Sequence, residues 1–164
     1  MTARRSADPP VWLATLLAGF VVGAFNITDA ILFFSIRGVA PMRIPQTIVA
    51  GLIGPAAFRG GWRTAFLGFA LHFLIAATAA AIYILASRRW TVLARRPWLC
   101  GGAYGFGVFL FMNFVVVPLS RTGVPRFTPA VTINLLFAHV CLIGWTIAQF
   151  ARWASGNPSR VRGV

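Results

Sequence analysis

The chain is expected to be an all-α polytopic membrane protein: a bundle of four transmembrane helices with a short re-entrant or interfacial segment between the first two. Three observations predict this. Hydrophobic residues make up 59% of the 164 positions and charged residues only 10%, with a mean hydropathy of +0.80, where a soluble domain is about a quarter charged. Four apolar runs are each long enough to cross a hydrocarbon core of about 30 Å. The basic residues, all of them Arg, cluster at the ends of those runs, as membrane-flanking anchors do. A net charge of +13 placed in this way reads as anchoring and excludes nucleic acid as a partner. The bilayer is the partner that composition requires.

The polar stretch 1–10 holds Arg4 and Arg5 and ends in a Pro pair. The first span follows over 11–34. It is too long for a signal-peptide core and lacks a small-x-small cleavage site, so it reads as retained. Gly19 and Gly23 form a small-xxx-small pair suited to close helix contact. The connection to the second span contains an apolar run over 44–58, bounded by Pro45 and Pro55. It is too short to cross and is expected to be re-entrant, interfacial, or a cap on the bundle.

The second span is expected over 64–86. Gly68, His72, Ala76 and Ala79 share one of its faces, and such a row of small residues lets a neighbouring backbone approach. A short basic loop with Arg88, Arg89, Arg95 and Arg96 leads to the third span, 98–119. Its first half is crowded with Gly101, Gly102, Gly105 and Gly107. This run has no preceding strand, so helix packing explains it better than a nucleotide loop. The fourth span is expected over 130–150, before a polar tail at 154–164. The four spans and their connections form one transmembrane domain, 11–153. Trp12, Trp62, Trp90, Trp98 and Trp153 fall at the expected helix ends, in the interfacial belts that Trp favours.

The polar residues inside the spans are few: Asn26, Asp29, His72, Asn113, Asn134 and His139. Counted from the outer helix ends at 1.5 Å per residue, they lie about 6–14 Å deep, all in one half of the membrane. Arg37, Arg59 and Arg63 flank that half, and Arg88, Arg89, Arg95 and Arg96 flank the other. Asp29 is expected to find a partner in His72, His139 or one of Arg37, Arg59 and Arg63, because an intramembrane carboxylate needs one.

Several readings of this layer are open. Interhelical hydrogen bonds of about 0.6–2 kcal/mol each fix register. His72 and His139 suit a proton or small-solute pathway. No cofactor is predicted, although Asp29, His72 and His139 are the set that would hold a metal ion, and either His could ligate haem or another tetrapyrrole. No phosphate loop, G-x-S-x-G, C-x-x-C or H-E-x-x-H occurs, so no enzyme is expected. Cys100 and Cys141 differ in expected depth by about 10 Å and read as packing residues, not a disulfide.

The segments Leu71–Tyr83, Val115–Ser120 and Phe137–Trp145 resemble the YagU-like small bacterial inner-membrane proteins of unknown function. The similarity covers about residues 64–153. It implies a helical inner-membrane bundle with His on its second and last helices, and it carries no activity. The expected function is therefore that of an integral protein of the bacterial inner membrane, with a polar layer that handles protons or a small solute. The alternative is a structural or accessory subunit whose Gly/Ala face packs against a partner. Four short helices enclose little volume, which points to a homo-oligomer or a partner membrane protein. Nine Arg on the side of both termini against six on the other put both termini in the cytoplasm.

Overall fold

The computed structural model describes residues 9–123 and 127–156. Most of the polar tails expected at 1–10 and 154–164 lies outside them, as does Arg126. Four helices are long and apolar enough to span a bilayer: Val11–Ser35, Gly61–Arg89, Pro97–Leu119 and Pro129–Ala154. At 1.5 Å per residue each reaches at least about 34 Å. Their large apolar side chains face outward, Leu16, Phe20, Phe66, Leu74, Phe111 and Ile133 among them. That arrangement is stable only against lipid. The chain is an integral membrane protein.

The core is made of small residues. Ala14, Ala18 and Val22 of the first span meet Ala76, Ala80, Tyr83 and Ile84 of the second and Ile143, Ile147, Ala148, Ala151 and Ala154 of the fourth. Side chains this short bring the helices close, which matters in lipid, where packing replaces the hydrophobic effect between helices. Val11 packs against the same cluster as Ala154, so the first span begins where the fourth ends. This terminal end of the bundle is the better filled. Tyr83 and Tyr104 pack there with their rings tilted 60° to each other, 4.9 Å between centroids. Their hydroxyls donate to the Leu93 and Ala79 carbonyls.

The third span joins through glycine. A Cβ on Gly101 would sit 2.7 Å from the Gly144 carbonyl oxygen. Gly105 lies directly against the His139 carbonyl. The glycine-rich run is thus a packing surface against the fourth span. Trp145 closes the contact by donating its indole N–H to the Trp98 carbonyl.

The connection between the first two spans is helical, not a loop. A helix over Arg43–Ile53 runs into a 3-10 turn, Gly54–Arg59. Pro45 falls in the first turn, where its missing N–H costs nothing. Gly54, at φ +71°, ends the helix, and Gly61, at φ +56°, turns the chain into the second span, both in the left-handed region that glycine tolerates. Val49, Ala50 and Ala57 pack with Phe58 and with Leu71 of the second span. This intervening helix therefore caps the loop end of the bundle, opposite the termini.

The second span starts at Gly61, earlier than the expected 64, because the intervening turn delivers the chain without a loop. The basic connection after it also holds a helical turn, Val92–Arg95. The third and fourth spans each widen into π-helix, at Met112–Val116 and Ala138–Trp145.

Candidate functional site: a cavity under the capping helix

A cavity of about 380 Å³ lies between the capping helix and all four spans. Asn26, His72 and His139 line it, from the first, second and fourth spans. Its walls are otherwise mostly Val, Ile, Leu and Ala side chains. Thr47 of the capping helix and Ser120 and Thr122 after the third span line it where it reaches the loop end. Val22, Ala76 and Ile143 line it toward the terminal end and belong to the small-residue core. Among the described residues no Asp, Glu or Arg lines it.

Each imidazole is held by one backbone carbonyl. His72 Nε2 lies 3.0 Å from the Gly23 oxygen, and His139 Nδ1 lies 2.7 Å from the Leu135 oxygen. A carbonyl only accepts, so the ring nitrogen facing it carries the proton. In the neutral rings this leaves Nδ1 of His72 and Nε2 of His139 with a free lone pair. Gly23 is small for a reason: a Cβ there would run into the Phe73 ring beside His72. The Phe109 ring packs edge-on to His139, 5.7 Å between centroids.

Asn113 and His139 do the same thing at two places. Asn113 is buried in the first turn of the third span's π segment and donates to the Phe109 carbonyl at 2.9 Å. His139 stands at the second residue of the fourth span's π segment and donates to Leu135. Each side chain bonds the carbonyl four residues earlier, where an α-helix passes into a wider turn and the regular ladder is interrupted.

The structure divides the expected layer into two parts. Asn26, His72 and His139 meet at the cavity. Asp29 does not join them: its Oδ2 accepts a hydrogen bond from Asn134 Nδ2 at 2.9 Å. This corrects the expected partners. His72 and His139 spend their N–H groups on backbone carbonyls, and Arg37 folds back onto its own helix, donating to the Phe33 carbonyl at 2.8 Å with its guanidinium 3.5 Å above the Phe33 ring. The candidate metal set Asp29, His72 and His139 is accordingly not gathered, and among the described residues no group of three or more His, Cys, Asp or Glu is. Arg37, Arg59, Arg63, Arg88, Arg89, Arg95 and Arg96 are all exposed at span ends. Cys100 and Cys141 are free.

Sequence reasoning missed the capping helix's own polar anchor. Gln46 is 1% exposed, and its Nε2 donates to the Gly61 carbonyl at 2.9 Å and to Thr64 Oγ1 at 3.2 Å. Thr64 in turn donates to the Ala57 carbonyl at 2.7 Å. The signal was present: a lone amide in an otherwise apolar run bounded by two prolines. Ser120 and Thr122 lie just past the expected end of the third span at 119, and only the tertiary fold carries them to the cavity.

Comparison with known protein families, with curated proteins and with solved structures finds no match for this chain.

Proposed function

We propose that this membrane protein binds a small solute in the cavity beneath its capping helix, and that Asn26, His72 and His139 are the recognition groups. One observation carries the reading. Two titratable side chains 67 positions apart, on different spans, line the same cavity. Polar groups at bilayer depth are costly and collect where something is handled. At about 380 Å³, the cavity falls within the roughly 300–1,000 Å³ of small-molecule sites.

A binding chamber fits better than a proton path. A path needs polar groups through the whole membrane, and the terminal half is filled by the alanine-rich core. Its two tyrosines spend their hydroxyls on backbone carbonyls. The chamber also lies within one chain, so solute binding calls for no second copy. The accessory-subunit reading relied on the Gly68 face of the second span. Gly68 lies against the Pro45 carbonyl of the capping helix, so that face is used inside the chain. The charge balance of the ends supports a bacterial inner-membrane orientation with both termini in the cytoplasm and the chamber toward the outer side.

The test is native mass spectrometry of the protein extracted from its own membranes, beside Ile48→Trp, which fills the chamber from the capping helix. The expected result is a bound small molecule on the wild type that is absent from an equally folded Ile48→Trp. The same adducts on both proteins, or none on either, would remove the reading.

A further inference from the structure

We propose that the chamber takes a neutral, mostly apolar molecule carrying a hydroxyl group, an alcohol or phenol, whose O–H donates to one of the two imidazoles and whose oxygen accepts from Asn26. The inference rests on the solute-chamber reading and names its ligand class.

Neutrality follows from the lining. Among the described residues no charged side chain faces the cavity, and an ion brought there loses its hydration without one of them to replace it. The apolar body follows from the walls, on which Ile48, Leu71, Ile75 and Val108 are representative. The hydroxyl follows from what the polar groups still have to offer. His72 and His139 have committed their N–H groups to the Gly23 and Leu135 carbonyls. Their remaining ring nitrogens act only as acceptors. A ketone, ester or ether brings no donor and leaves both lone pairs unpaired, whereas a hydroxyl pairs one of them, and an unpaired buried acceptor is penalised more than a hydrogen bond gained is rewarded. Asn26 supplies the opposite polarity, since an amide both donates and accepts. A hydroxyl is the smallest group that satisfies an imidazole and an amide together.

The test uses two probes that differ only in this donor, 1-naphthol and its methyl ether, 1-methoxynaphthalene. Binding is measured by calorimetry on the full chain in lipid nanodiscs at pH 8, above the ordinary imidazole pKa of about 6.5, with empty nanodiscs subtracted for partitioning. The expected result is that 1-naphthol binds roughly three- to tenfold more tightly than the ether, the range of one net hydrogen bond. This preference should shrink to about one in His72→Phe or His139→Phe, which keep an aromatic ring and lose the acceptor. The wild-type comparison needs no variant to fold. Equal affinity for the two probes, or tighter binding of the ether, overturns the hydroxyl assignment while leaving a chamber that binds apolar solutes. Binding of neither probe, or binding unaffected by Ile48→Trp, overturns the chamber reading and this inference with it.

Discussion

Gln46 shows how much one polar side chain can hold in a membrane protein. It fastens the capping helix to the start of the second span through two acceptors, while the Gly51 carbonyl of the same helix accepts from the Arg121 backbone N–H at 2.9 Å. Gln46→Leu keeps the volume and removes the donor, leaving the Gly61 carbonyl without it. We expect a loss of about 1–3 kcal/mol, read as a lower unfolding midpoint in mild detergent, with Ala50→Cys, at a buried position of the capping helix, becoming faster to label with maleimide as the cap loosens. Asp29 and Asn134 give a second prediction at this scale. Asp29→Asn preserves a hydrogen-bonding pair and should change stability by less than about 1 kcal/mol. Asn134→Ala leaves the carboxylate without its donor and should cost more, about 1–3 kcal/mol. The reverse order in a denaturation series would mean that the pair does not join the first and fourth spans as the 2.9 Å contact indicates.

At the scale of elements, the glycines of the third span separate into those that pack and one that does not. Gly105 lies against the His139 carbonyl, whereas a Cβ on Gly107 would meet nothing within 4 Å. Gly105→Ala should push the third and fourth spans apart and lower the melting temperature. Gly107→Ala should stabilise the helix by about 0.5–1 kcal/mol, because it only removes backbone freedom from the unfolded chain. A sequence reading treats these glycines alike, since their spacing is dense enough to cover every face. Gly68→Ala belongs to the same class as Gly105→Ala, because its Cβ would strike the Pro45 backbone. Its expected signature is specific: faster maleimide labelling of Ala50→Cys, buried under the seated cap, with the contact between third and fourth spans unaltered. The π segments are a further feature of elements that composition does not announce. An apolar run reads the same whether its ladder is α or π, and only the Asn113 and His139 side chains, each turned back onto a carbonyl, mark the junctions.

For the whole molecule the decisive property is polarity of filling. The terminal half is closed by alanine and isoleucine, and the loop half holds the cavity beneath the cap. The chamber therefore lies toward the side opposite the termini. Its side can be found by labelling Ser155→Cys in a chain whose Cys100 and Cys141 are replaced by Ala. Labelling from the cytoplasm is expected from the distribution of Arg. Labelling from the outside would place the chamber mouth in the cytoplasm instead.

Span number, approximate span limits and the exposed Arg and Trp at the span ends were legible in the sequence. Each depends on a one-dimensional quantity: the length of an apolar run against the thickness of a bilayer, or the position of a residue along a helix axis. What faces what was not legible. Helical periodicity placed Asn26 and Asp29 on the same side of one helix, one turn apart, yet the first lines the cavity and the second meets Asn134. Rotation of each helix about its own axis is set by small-residue contacts between neighbours, and those contacts exist only after the spans have packed. The capping helix makes the same point. Its length excluded a crossing, but its seat over the bundle depends on Gly68 accepting a carbonyl and Gln46 finding Thr64, two meetings that the tertiary structure alone decides.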